Sequence, residues 1–146
     1  MKKNLKTPDA NLDSHLRSIF DRQQMLRTLN ASLLSVQAGE VQIEMPFASQ
    51  FTQQHGFIHA GVITTLIDNA CGYAAYTMIP KEASILTVEF KVNFIAPAKG
   101  EKFIATGKVV KPGRNLIICT GDAVAVENGE SKTVAIMQAT MMVMKS

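Results

Sequence analysis

A chain of 146 residues has room for one domain with a real core, and because 47% of its residues are hydrophobic, it cannot be a disordered polypeptide. A net charge of +3 does not support nucleic-acid binding; it suits an anionic small molecule and is equally what an ordinary solvated surface carries. Cys71 and Cys119 predict buried, reduced thiols rather than a disulfide framework, and three histidines with no clustering of His, Cys and carboxylates predict no metal site.

The N-terminal run MKKNLKTPDANLDSH is basic but has no apolar segment behind it, which argues against a secretory signal. Polar residues 1–10 predict a loose start. No apolar stretch is long enough to span a bilayer, so a cytoplasmic protein without membrane attachment is the expectation. Leu12, Leu16, Ile19 and Phe20 recur at helical spacing, and Gln23 to Leu29 either continues that helix or forms a second short one. Residues 1–31 thus read as a helical flank on a main body spanning 32–146, within a single domain overall.

Strand signals follow. Ser32 to Gln37 is apolar-rich, Ala38-Gly39 marks a turn, and Val41, Ile43 and Met45 alternate with Gln42 and Glu44 up to Pro46, predicting a hairpin. From Gln53 to Pro80 the pattern changes. The stretch opens polar, turns almost wholly apolar at Val62, and has no Lys, Arg or Glu between Gly56 and Pro80. Small residues at Ala70, Cys71, Gly72, Ala74 and Ala75 predict a buried helix closely approached by its neighbours.

Beyond Pro80, Leu86, Val88, Phe90, Val92 and Phe94 alternate with Thr87, Glu89, Lys91 and Asn93, the pattern of a half-buried strand. Ala96 to Gly100 reads as a turn, followed by strands over Lys102–Lys111, Leu116–Val126 and Lys132–Met144, with Pro112 to Asn115 and Asn128-Gly129 as the turns between them. Two strands, one long helix and four strands in hairpin succession predict an α+β fold. A curved antiparallel sheet of about five to six strands would wrap the helix.

Asp68 is the one carboxylate in the apolar helix, and it is costly there unless compensated. One reading makes it a helix cap, with Asp-Asn breaking the segment; the other makes it a catalytic group. If the helix starts near Ala60, its first N–H groups are free for an anion or a carbonyl oxygen, and Asp68 lies roughly 12 Å further along the axis. Two copies packed antiparallel about a two-fold axis would set the Asp68 of each beside the Ala60 amide of the other, with His59 and Gln53 at the same mouth.

The run Gly56-Phe57-Ile58-His59-Ala60-Gly61, followed by Asp68 in the helix, resembles the hotdog-fold acyl-CoA thioesterases of the phenylacetate-degradation (PaaI) type. The resemblance extends from about Ser32 to the C-terminus. It implies hydrolysis of an acyl-CoA thioester to free coenzyme A and a carboxylic acid, aromatic or of short to medium chain length. Asp68 would be the general base or nucleophile, Ala60 the backbone donor that polarises the carbonyl, and His59 a neighbour of the carbonyl or sulfur. Gln53 stands at the family's usual Asn position, with Gln54 as the other residue able to reach in, and Thr87 resembles a residue that holds the attacking water.

Gly61, Lys99, Gly113 and Arg114 are the substrate-binding positions that the resemblance suggests, the last three in loops that would meet the coenzyme A phosphates. Met137, Met141, Met142 and Met144 either line an acyl pocket or are plain core. No cofactor is implied beyond coenzyme A as part of the substrate, and the partner is a second copy, as a homodimer or homotetramer. The alternatives are a hydroxyacyl-CoA dehydratase or hydratase on the same fold, and a protein that binds acyl-CoA without cleaving it.

Overall fold

A computed structural model describes residues 10–145. Of the predicted loose start at residues 1–10, residues 1–9 lie outside the described residues and Ala10 already begins a helix. The flank is two helices, α1 (Ala10–Arg22) and α2 (Gln24–Thr28), separated by Gln23, whose backbone is extended. Leu16, Phe20, Leu26 and Leu29 are buried in the same core as the rest of the molecule, so the flank is packed onto the body rather than set apart from it.

Strands β1 (Ser32–Gln37) and β2 (Glu40–Pro46) form the expected hairpin, its turn closed by Gly39 at φ +78°. The central helix is α3 (Ala60–Tyr76), followed by β3 (Ser84–Phe94), β4 (Lys102–Lys111), β5 (Leu116–Glu127) and β6 (Glu130–Met144). All pairings are antiparallel, in the order β1-β2-β4-β5-β6-β3, and α3 packs against every strand from β2 to β6. Among the described residues no helix is long and apolar enough to cross a membrane.

The predicted hairpin succession of the last four strands is corrected at one point. Strand β3 does not pair with β4, because β4 has β2 on one edge and β5 on the other. Instead β3 lies at the far edge of the sheet beside β6, and Ala96 to Gly100 belongs to a crossover rather than a tight turn. The β4–β5 and β5–β6 connections are hairpins as expected, the latter through Asn128 (φ 52°) and Gly129 (φ 78°).

Helix α3 sits close against the sheet because two glycines face each other across β4 and β5. Gly107 and Gly121 are register partners. A Cβ on Gly107 would lie 2.2 Å from the backbone carbon of Ala70, and one on Gly121 would lie 2.5 Å from Cγ2 of Ile67. The helix backbone therefore rests where side chains would otherwise stand, and this seat fixes the height of Asp68 above the sheet.

The reading of β3 as half-buried also needs correction. Leu86 is 57% exposed, Val88 52% and Phe94 48%, and only Ile85 and Val92 are partly covered. As an edge strand, β3 has apolar side chains and one unpaired row of backbone groups open. Its regular alternation is broken by a bulge, since Thr87 pairs with Met141 and Glu89 with Thr140, which leaves Val88 as the extra residue. Thr87 consequently turns toward α3 instead of sharing an outer face with Glu89.

Candidate active site

The loop before α3 is braced by backbone hydrogen bonds. The Gln53 N–H donates to the Phe57 carbonyl (2.8 Å), that of Gly56 to Gln53 (3.0 Å) and that of His59 to Phe51 (2.8 Å). His59 is the N-cap of α3, and its Nδ1 accepts the Gly61 N–H at 2.8 Å. Gly61 is thereby occupied. The Ala60 N–H, by contrast, meets no acceptor among the described residues.

Ala60 and Gln53 line one cavity of about 480 Å³ with Phe57, Ile63, Phe94 and Pro97. The Gln53 side-chain oxygen accepts the His55 N–H, which fixes the orientation of the amide and leaves its Nε2 group free to donate. An unpaired backbone N–H and a side-chain amide thus belong to the same largely apolar hollow. Gln54 is exposed and does not line it, so Gln53 is the residue that reaches in.

Asp68 lies two turns further along α3. The helix continues unbroken through Asp68 and Asn69, and the Asn69 amide donates to the Thr65 carbonyl at 2.8 Å, so the reading of Asp68 as a cap of a second helix is excluded. Thr87 Oγ1 donates to Asp68 Oδ1 at 2.8 Å and lies 3.5 Å from Met141 Sδ. The other carboxylate oxygen has no hydrogen-bond donor among the described residues. Burial pushes the Asp68 carboxyl above its ordinary value of 3.8, and the Thr87 hydroxyl only partly opposes that rise. A carboxylate held this way is a better base than an exposed one.

Asp68 and Thr87 line a second cavity, of about 310 Å³. One chain therefore has its amide donor in one hollow and its carboxylate in another. The predicted phosphate-binding residues are likewise separated. Lys99 borders a hollow with Phe47 and Gly56, whereas Gly113 and Arg114 border one with Pro80 and Val143. Of the four methionines, Met137 and Met141 are buried core, while Met142 and Met144 are exposed.

Several lining residues had no signal in the motif. Gly72 and Tyr76 follow Asp68 at four-residue intervals, and helical spacing alone could have found them. Gln23 and Ile19 reach the Asp68 cavity from the flank, and no local pattern points to that contact.

An unpaired amide can polarise a carbonyl, and a carboxylate raised by burial with one oxygen free can act as a base, which together suit hydrolysis of an activated acyl group. Residues 55–132 match the thioesterase superfamily, and the chain belongs to that superfamily: it is a thioester hydrolase of the hotdog fold. A thioesterase family protein from Silicibacter pomeroyi is 45% identical and superposes with a TM-score of 0.91, over 92% of this chain and 99% of that one. Acyl-coenzyme A thioesterase 13 of Homo sapiens is 30% identical over 62% of this chain and 65% of its own. The PaaI protein from the phenylacetic acid degradation operon of E. coli shares the fold, with a TM-score of 0.82 at 18% identity over 93% of this chain and 95% of that one. Hydrolysis thus prevails over the hydratase and binding-only alternatives.

Proposed function

We propose that this protein hydrolyses acyl-CoA thioesters at sites shared between two copies of the chain. The observation that carries the reading is the division of labour along α3, where Ala60 and Asp68 are separated by roughly 12 Å and open into different cavities. Strand β3 offers the means of joining them. Ile85 and Thr87 border the Asp68 cavity and Phe94 borders the Ala60 cavity, so both half-sites lie along one open edge. Antiparallel pairing of β3 with its counterpart, about a two-fold axis near its middle, sets each Thr87 end against the other's Phe94 end. It also covers the exposed Leu86, Val88 and Phe90.

In the joined site, the Ala60 N–H and the Gln53 amide of one copy bind the thioester carbonyl oxygen. Asp68 of the other removes a proton from a water held between its free oxygen and the Thr87 hydroxyl. The water oxygen bonds to the carbonyl carbon, the carbon–sulfur bond breaks, and the proton on Asp68 passes to the departing thiolate. A thiolate leaves readily, so this scheme draws on no cofactor and no metal. His59 borders the mouth as the helix cap. Lys99 of one copy and Gly113-Arg114 of the other suit the phosphates of coenzyme A. A cytoplasmic location and a homodimer, alone or doubled to a tetramer, complete the reading.

Asp68→Asn tests it. Thiol release from a panel of acyl-CoA compounds is expected to drop by about two orders of magnitude or more, with the circular dichroism spectrum unchanged. Turnover at the parent rate would end the assignment.

A further inference from the structure

Gly72 stands one turn beyond Asp68 on the face of α3 that also carries Tyr76. Glycine weakens the middle of a helix, so its presence calls for a local reason. At Gly107 and Gly121 the reason is contact with α3, but a Cβ on Gly72 would meet no atom within 4 Å. Nor does its backbone adopt a positive φ. Gly72 instead leaves a trough in the wall of the cavity that begins at Asp68. The flank also borders that cavity, where Gln23 Nε2 donates to the Tyr73 hydroxyl at 3.3 Å and Ile19 joins the lining.

We propose that the trough over Gly72 receives the acyl group of the thioester, so that Gly72 sets how bulky an acyl group is accepted and the Gln23–Tyr73 pair forms the end wall. The proposal rests on Asp68 being the carboxylate of a shared site. With the carbonyl carbon beside Asp68 and its oxygen on the other copy's Ala60 amide, the sulfur leads away through the cavity at the start of that copy's helix. The acyl carbon then has the Asp68 cavity ahead of it, and the next turn of α3 is its floor. An acetyl group ends before Gly72, whereas a six-carbon chain passes over it.

The test compares the parent with Gly72→Leu and Gly72→Ala, using acetyl-CoA and hexanoyl-CoA as probes. In Gly72→Leu the ratio of kcat/KM for hexanoyl-CoA to that for acetyl-CoA is expected to fall by about tenfold or more. Gly72→Ala should show a smaller fall in the same direction, with a Tm about 2–4 °C higher, because alanine favours the helix and strikes nothing. Size-exclusion chromatography should show the parent's oligomeric state for both variants. An unchanged ratio in Gly72→Leu would overturn the proposal. So would loss of the oligomer in either variant, since Gly72 would then be making room for a second chain. If Asp68→Asn cleaves the probes as well as the parent, the shared-site reading itself has failed, whereas a parent that cleaves neither probe but releases thiol from other acyl-CoA compounds refutes the acyl assignment alone. A parent that depends on Asp68 but shows no Gly72 effect refutes the acyl assignment alone.

Discussion

Ala60→Pro removes a single hydrogen atom from the proposed machinery and little else. Ala60 is the first residue of α3, where proline is well tolerated because the N–H has no intrahelical acceptor. The preceding His59 has φ −57° and ψ 137°, the extended conformation that a following proline requires. The fold should therefore survive, while loss of an oxyanion donor lowers kcat by about 10²–10³. Asp68→Asn, made separately, is inactive for a different reason. When the two variants are unfolded together in equal amounts and refolded, about half of the dimers pair one chain of each kind. Such a dimer has one site with an intact amide and an intact carboxylate, and one site lacking both. Thiol release should return to about a quarter of the parent rate, from two proteins that are nearly inactive alone. If the mixture shows only the average of its two components, the sites are not shared; if Ala60→Pro turns over at the parent rate, its amide does not polarise the carbonyl.

Other expectations follow from the seating and titration of the same residues. In Gly107→Ala the new methyl group must displace α3 by about 1.2 Å to reach ordinary contact with Ala70, a shift expected to cost about 1–3 kcal/mol and to lower the Tm and kcat/KM together; parent values for both would show that the groove does not position the helix. In Thr87→Val the carboxylate loses its hydroxyl donor, so the Asp68 pKa rises further and the acid limb of the pH–kcat/KM profile moves to higher pH; an unmoved limb would count against Asp68 as the base. Because folding raises the Asp68 pKa above 3.8, its ionised form opposes folding at neutral pH, and the effect vanishes below the unfolded-state pKa, where both states are protonated. Thermal melts should accordingly find Asp68→Asn more stable than the parent at pH 7, with the advantage shrinking toward acid. Cys71 and Cys119 are buried, and burial pushes the Cys119 thiol up to about 12, so a thiol reagent should modify them only as the protein unfolds.

Local chemistry made much of the molecule legible. The start of α3 follows from the switch to small and apolar residues after His59, and the β5–β6 hairpin follows from Asn128-Gly129. Asp68 stood out because a lone carboxylate in such a helix needs a reason. Strand β3 was harder. Its partner is decided by which edges β2 and β5 leave open, a competition among distant segments that no window of sequence contains. Its apolar residues looked buried because an apolar face left open at a sheet edge and one packed on a core leave the same alternation. Gln23 illustrates the same limit at the site, since it reaches the Asp68 cavity only through the packing of the flank against Tyr73.

The extra residue at Val88 has one more consequence. Thr87 and Phe94 are seven positions apart, an odd number, so a regular strand would point them in opposite directions. The bulge takes Val88 out of the ladder, so the seven positions count as six and both side chains face α3; in the proposed dimer one continuous strand then serves the proton-transfer end of one reaction chamber and the apolar wall of another. Drawing Val88 back into regular pairing, with no residue lost or gained, would turn one of the two ends inside out.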